Sequence, residues 1–144
     1  MYKRQPVTLK TVSQDLGVDK NVASFVVPVG ATINMDGTAI MQGCATFFLA
    51  SLYGIDLGMN EIVAIVITAT IASIGTAGIP SAGIIMLTVI FTQIGIPLEG
   101  ITLLLGVDRL LDMMRTSVNV SGDICISCVI ASSENKINES VFNS

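Results

Sequence analysis

Histidine and tryptophan are absent from this chain of 144 residues, and charged side chains make up only 12% of it. Without histidine, Ser-His and Cys-His nucleophilic catalysis and any His-ligated metal site are excluded. Soluble domains carry about 25% charged residues, so solvating charge is scarce here. With 51% hydrophobic residues and a mean hydropathy of +0.77, that scarcity argues against a soluble single domain. It argues equally against intrinsic disorder, which needs low hydrophobicity and high charge. Seven Lys+Arg against 11 Asp+Glu give a net charge of −4, so the basic footprint of a nucleic-acid binder is missing. Cysteine is sparse as well. Cys125 and Cys128 form a C-x-x-C, but no second pair or histidine completes a zinc site, and Cys44 stands alone; small apolar filler is the plain reading of all three. The N-terminus has charges with no apolar segment behind them, unlike a signal peptide. What remains is an integral membrane protein, or a part of one, and not an enzyme.

Three stretches can be drawn. Residues 1–20 form a polar N-terminal segment, of which Met1–Gln5 differs in texture from the residues after it. Residues 21–131 are largely apolar, and 132–144 form a polar tail. Within the apolar part, 21–53 read as a span interrupted at Asn34-Met35-Asp36-Gly37-Thr38. Residues 61–95 read as a second apolar stretch broken by Gly75, Gly78, Pro80 and Gly83, which do not fit a regular helix. Its two arms, Ile62–Ala72 and Ile84–Ile94, have 11 residues each. At ~1.5 Å per residue each arm reaches about 16 Å, half of a bilayer core that needs about 20 residues to cross. A re-entrant hairpin with its tip at 75–82 fits, and one long kinked span is the alternative. Residues 98–131 read as a single long helix. Lys3, Arg4, Lys10 and Lys20 crowd the N-terminal segment, Lys136 lies in the tail, and the turns at 54–60 and 95–100 have no basic residue. The positive-inside rule then puts both ends in the cytoplasm, in the inner (plasma) membrane.

The long helix is the most informative. Asp108, Asp112, Arg115, Asn119 and Asp123 recur at spacings of 4, 3, 4 and 4, and with Thr116 they occupy about 100° of one face at ~100° per residue. Leu110, Leu111, Met113, Met114, Val118 and Val120 take the others. Four charges facing lipid would cost on the order of 10 kcal/mol, so the stripe faces protein, water, ions or substrate. An interhelical ion-pair network is one reading. Three carboxylates against one guanidinium favour another, a site with room for a cation. At the Asn34–Thr38 break, unwound backbone frees carbonyls for Na⁺ and Asp36 adds a hard oxygen; a kink satisfied by neighbouring side chains is the alternative. The 75–82 tip lacks both the Gly-Lys-Ser/Thr of a phosphate loop and the first glycine of a nucleophile elbow. It reads as a loop that caps a site, or as a simple turn. Two broken membrane elements and one charged helix match the architecture of secondary transporters, whose broken helices come in matched pairs from two halves. Only one half is present, so the chain is expected to be the C-terminal portion of a larger transport domain.

Three motifs carry a resemblance: Asn34-Met35-Asp36-Gly37-Thr38, the tip Ser73-Ile74-Gly75-Thr76-Ala77-Gly78-Ile79-Pro80, and Asp108-(x3)-Asp112-Met113-Met114-Arg115-Thr116-(x2)-Asn119-(x3)-Asp123. In this order, over roughly Pro6 to Glu134, the sequence resembles the dicarboxylate/amino acid:cation symporters, the glutamate/aspartate transporter family. The resemblance implies an all-α membrane protein: a discontinuous transmembrane helix, a re-entrant helical hairpin and a long amphipathic transmembrane helix, half of an inverted-repeat transporter core. It implies that Arg115 takes the side-chain carboxylate of an acidic amino acid and Asp112 its α-amino group. Thr38, Thr116 and Asn119 would hydrogen-bond the substrate, with the backbone around Ile79 and Gly83 closing over it. One sodium would use Asp123 with backbone oxygens of Gly30, Asn34 and Asn119. A second would use backbone oxygens of Thr32, Met35, Ser73, Ile74 and Thr76, and a third the side chains of Asn34 and Asp36. Asp108 looks like part of the supporting polar network. Gln42 stands where potassium-coupled animal members carry glutamate, which favours a sodium- or proton-coupled cycle without potassium. Family members work in the bilayer as homotrimers with a first hairpin and further helices that this chain lacks. The functional expectation is a fragment of a sodium-coupled, or proton-coupled, symporter for glutamate or aspartate. A non-transporting truncated membrane protein that associates with a full-length homologue is the alternative.

Overall fold

A computed structural model describes residues 5–75 and 82–143, and within them the protein is all-α. The chain forms α1 (Gln5–Lys10), a π-helical turn (Thr11–Asp15), α2 (Lys20–Ile33), α3 (Asp36–Leu52), α4 (Met59–Gly75), α5 (Ala82–Ile94), a 3-10 turn (Leu98–Gly100), α6 (Ile101–Ser133) and α7 (Glu139–Phe142). The tip expected between the hairpin arms lies, apart from Gly75 and Ala82, outside the described residues.

α2 starts where the Asp19 carboxylate accepts the N–H groups of Asn21 and Val22, at 2.9 and 3.4 Å, satisfying donors that the first turn leaves open. It ends at Ile33, because Asn34 (φ −103°, ψ 78°) and Met35 (φ −115°, ψ 51°) leave helical geometry. The N–H groups of Thr38 and Ala39 then both donate to the Met35 carbonyl, at 2.9 and 3.1 Å, and the helix restarts. The interruption is therefore narrower than the polar run 34–38: Asp36, Gly37 and Thr38 already belong to α3.

α6 extends to Ser133 and closes with Asn135 in the left-handed region (φ 54°). The Asn135 N–H donates to Ser132 O at 3.1 Å and the Lys136 N–H to Ala131 O at 2.7 Å, the paired bonds of a Schellman end. The residues beyond it fold back rather than trail away. Val18 and Ile137 form an antiparallel bridge, and Ile137 packs against the apolar cluster that includes Val12, Val18, Ala131 and residues of α2. The polar tail expected over 132–144 is thus tied to the joint between α1 and α2.

Two apolar cores organise the helices. The first joins Met41, Ala45 and Leu49 of α3 to Ile65 and Ala69 of α4, Leu87, Ile90 and Phe91 of α5, and Leu104 of α6. The second joins Val22, Ala23, Val26 and Val27 of α2 to Val12, Val18 and Ala131, with Ile124, Cys128 and Ile137 against them. Of the three cysteines, Cys128 is packing material, while Cys44 and Cys125 are exposed. The hairpin arms also share a polar contact, Thr68 Oγ1 donating to Gln93 Oε1 at 2.8 Å. Along α2–α3 the order is second core, break, first core; along α6 it is first core, polar stripe, second core. The two runs are antiparallel, and the break meets the stripe between the cores.

Among the described residues no single helix is both long and apolar enough to cross a membrane. α2 and α3 are cut at the break, and α6 carries Asp108, Arg109, Asp112, Arg115 and Asp123. The chain nevertheless leaves much apolar surface open, including Phe25, Phe48, Ile71, Ile85, Met114 and Val129.

Candidate functional site

The polar stripe of α6 is turned inward. Arg115, Thr116, Asn119 and Asp123 are buried, as is Thr38 on α3. Charges in such a place need partners, and the break supplies several. The Gly37 N–H, a first-turn donor of α3, donates to Asn119 Oδ1 at 2.8 Å, and Asn119 Nδ2 in turn approaches Thr38 Oγ1 at 3.4 Å. Asn34 Nδ2 donates to Asp123 Oδ1 at 3.0 Å.

Three glycines let the backbones come this close. A Cβ on Gly37 would collide with the backbone of Arg115, one on Gly30 with the Asp123 carboxylate, and one on Gly122 with the Asn34 amide at 2.8 Å. Gly30, Asn34, Asn119 and Asp123 therefore form one cluster around the crossing of α2–α3 and α6.

Arg115 anchors a second cluster. Its Nε and Nη2 both donate to Asp112 Oδ1, at 2.9 and 2.6 Å. The pair is lopsided: the Arg115 side chain is 6% exposed and that of Asp112 47%. Arg115 Nη1 is buried with no hydrogen-bond partner among the described residues. It points at the start of α5, where a Cβ on Gly83 would overlap it. Gln42, fully buried on α3, donates from Nε2 to Gly83 O at 3.3 Å, so α5 is docked beside the guanidinium. Arg115 also borders an open apolar pocket of about 430 Å³ in the α3–α6 seam, lined by Gly37, Met41, Ala45, Leu104 and Leu111.

A buried guanidinium with one edge neutralised and one donor left over is suited to a second carboxylate. Asp112, half open beside it, offers an acceptor to an ammonium group. Across the same helix face, Asp123 with neighbouring amide and carbonyl oxygens offers hard ligands. Among the described residues no group of three or more Cys, Asp or Glu could hold a metal ion, so any ion held by Asp123 would lean on amide and backbone oxygens.

Some expected residues lie apart. Thr32 is exposed and its hydroxyl donates back to Pro28 O at 3.2 Å. Asp36 is exposed in the first turn of α3, and Ile74 is exposed near the end of α4. Ser73 is buried, with Oγ donating to Thr70 O at 2.8 Å, and Met35 is buried at the break. Any contribution of Thr32, Met35 and Ile74 to an ion would be a backbone carbonyl. Thr76 and Ile79 lie outside the described residues. Two participants were not expected from the sequence, Gly122 and the Gln42–Gly83 contact. Gly122 had one available signal, its place beside Asp123 on a crossing face. The docking role of Gln42 had none, because it depends on a partner 41 residues away.

These features define an all-α protein in which an interrupted helix and a charged helix frame a buried polar centre. Residues 5–133 match the model of the sodium:dicarboxylate symporter family. Over 118 residues, 82% of this chain, it is 53% identical to human excitatory amino acid transporter 2, 51% to mouse excitatory amino acid transporter 3 and 47% to an excitatory amino acid transporter of Caenorhabditis elegans. The matched region is 21–24% of the length of those relatives. The chain belongs to the sodium:dicarboxylate symporter family.

Proposed function

We propose that this chain is the C-terminal part of the transport domain of a sodium-coupled symporter for acidic amino acids, carrying most of its substrate site and much of its cation site. The observation that carries this reading is Arg115, buried, fixed on one edge by Asp112 and with its Nη1, beside Gly83, unpartnered among the described residues. Arg115 takes the side-chain carboxylate of glutamate or aspartate, and Asp112 the α-ammonium. Thr38, Thr116 and Asn119 hydrogen-bond the remainder, and the segment around Ile79 and Gly83 covers it. A neutral amino acid would bring no carboxylate to Arg115 Nη1, and a dicarboxylate without an amino group would bring no ammonium to Asp112.

Sodium is the co-transported ion, with protons the alternative. One ion is held by Asp123 with Gly30, Asn34 and Asn119. A second is held by carbonyls of Thr32, Met35, Ser73, Ile74 and Thr76, and a third by Asn34 and Asp36. Gln42 in place of a carboxylate favours a cycle without potassium. Residues 21–53 and 98–131 span the bilayer, and 61–95 enter and leave it on one side. Both ends of the chain lie in the cytoplasm, and the whole transporter is a homotrimer. The wide apolar surface supports contact with lipid and with further helices. Because neither span is a single apolar helix, each depends on its neighbours to shelter its polar breaks.

The test is uptake of labelled aspartate and glutamate by the full-length transporter in liposomes, with sodium inside, outside or replaced by choline. Uptake driven by an inward sodium gradient is the expected result. Uptake that follows a proton gradient and ignores sodium moves the ion assignment to protons, and absence of acidic amino acid uptake removes the substrate assignment.

A further inference from the structure

The geometry points to residues 135–138 as a clasp that sets the position of α2 along α6, and through it the approach of Gly30 to Asp123. This rests on the sodium-coupled reading of the Asp123 cluster and adds a positioning element outside it.

The clasp is built from both termini of the helical pair. The Asp19 N–H donates to Lys136 O at 3.0 Å and the Asn138 N–H to Gly17 O at 2.8 Å, on either side of the Val18–Ile137 bridge. Val18 is 2% exposed, and Ile137 closes over the same apolar cluster that holds Val22, Val26 and Ala131. Gly17 turns with φ 67°, and a Cβ there would lie 2.7 Å from Asn138 O, so the close approach of the two strands requires glycine. Each partner is also fixed within its own segment. Asp19 caps α2, and Lys136 completes the end of α6 through its bond to Ala131. The clasp therefore joins the first residue before α2 to the first residues after α6 with little slack.

The other junction of the same two helices is the cluster at Gly30, Asn34, Gly122 and Asp123. Gly30 is eleven helical steps from Asp19 and Ser133 is ten from Asp123, about 16 and 15 Å of helix at 1.5 Å per residue. The matching lengths make α2 and the end of α6 two antiparallel sides of a closed frame, pinned at both ends. Releasing the clasp leaves α2 held against α6 by the apolar side chains of the second core, which pack without direction, and by the single Asn34–Asp123 hydrogen bond at the far end. A slip of one residue, about 1.5 Å, carries Gly30 away from the Asp123 carboxylate. Ile137 and its neighbours touch neither ion nor substrate, so they are positioning residues.

The test uses the full-length transporter in liposomes, with aspartate uptake measured at a series of sodium concentrations. Ile137→Asp is expected to raise the sodium concentration for half-maximal uptake by about fivefold, within the range that mutations remote from both ligands produce. Maximal uptake at saturating sodium stays near wild type, and Ile137→Val restores the wild-type sodium dependence. A merely structural role would lower the amount of active protein and leave the half-maximal concentration unmoved, and that result overturns the proposal. If Ile137→Asp does not fold, Val18→Cys/Ile137→Cys, with Cys44, Cys125 and Cys128 replaced by Ser, carries the test. Bridged residues lie about 4.5–5.5 Å apart between Cα atoms, within reach of a disulfide. The cross-link should form and keep the wild-type sodium dependence; failure to form, or a raised half-maximal sodium concentration once formed, overturns the clasp. A wild type whose uptake ignores sodium rejects the sodium-coupled reading and this inference with it. A sodium-dependent wild type with an unmoved Ile137→Asp rejects the inference alone.

Discussion

Asn34 Nδ2 donates to Asp123 Oδ1 at 3.0 Å across 89 residues of sequence, and this bond ties the end of α2 to the middle of α6. Asn34 has left helical geometry, while Asp123 sits inside a continuous helix, so an adjustable segment is held by a rigid one. An ion bound at Asp123 competes for, or shares, an oxygen that already holds the break in place.

Asp123→Asn keeps the size of the side chain and removes its charge. Sodium binding should weaken, and the sodium dependence of substrate affinity should move to higher concentration by about tenfold or more, the scale of a lost hydrogen-bonded charge. Substrate titration at several sodium concentrations, mutant against wild type, reads it. By reciprocity the effect of substrate on sodium affinity changes by the same factor. Identical sodium dependence in the two proteins would remove Asp123 from the ion site.

Arg115→Cys removes the only buried guanidinium among the described residues. Uptake of glutamate and aspartate should be lost, because truncating one side of a buried charge pair costs roughly 2–5 kcal/mol, about 30-fold or more in affinity. Neutral amino acid uptake should persist or emerge. Competition assays with aspartate and with small neutral amino acids separate the two, and an unchanged aspartate affinity would contradict the role given to Arg115.

Gly30→Ala and Gly83→Ala should fail in different ways. The new methyl at position 30 meets the Asp123 carboxylate, and the one at position 83 meets Arg115 Nη1. The first is expected to raise the half-maximal sodium concentration with substrate affinity at saturating sodium little altered. The second should raise the KM for acidic substrate at saturating sodium. The same phenotype in both would mean that the clusters do not act separately.

Gln42→Leu conserves approximate volume and deletes the donor to Gly83 O. Loss of a buried hydrogen bond costs about 0.5–1.5 kcal/mol, so the thermal midpoint of the detergent-solubilised protein should fall. The loosened docking of α5 should also weaken acidic substrate binding. A midpoint equal to wild type would show that the Gln42–Gly83 contact does not hold α5 in place.

Much of the centre could be read from spacing alone. Asp112, Arg115, Asn119 and Asp123 repeat at helical intervals within an apolar helix, and burying that stripe is the outcome with the lowest charge penalty. Glycine and asparagine at 34–37 marked the break, although the helix resumes at Asp36, because two residues suffice to redirect the chain. The fold-back of 135–138 was not legible. Ser132, Ser133, Glu134 and Asn135 have the composition of a solvated tail, and the bonds that fix Lys136 and Asn138 come from backbone groups of Asp19 and Gly17 more than 100 residues earlier. Asp36, the carboxylate beside the break, is exposed in the first turn of α3, which its place in the sequence did not foretell.

At Gly37 the backbones of α3 and α6 touch with no side chain between them, since even one added carbon would strike Arg115. Such a contact has no rotamers to rearrange, so it resists sliding while permitting a small rocking motion, and it behaves as a fulcrum. The far end of α3 at Leu52 is 15 residues from it, a lever of about 22 Å at 1.5 Å per residue. A tilt of about 5° about this point displaces that end, and the hairpin packed on it, by about 2 Å while Arg115 itself scarcely moves. Arg115, with Gly83 against it, lies near this axis, while Gly100, against Leu49 and Tyr53, lies out on the arm.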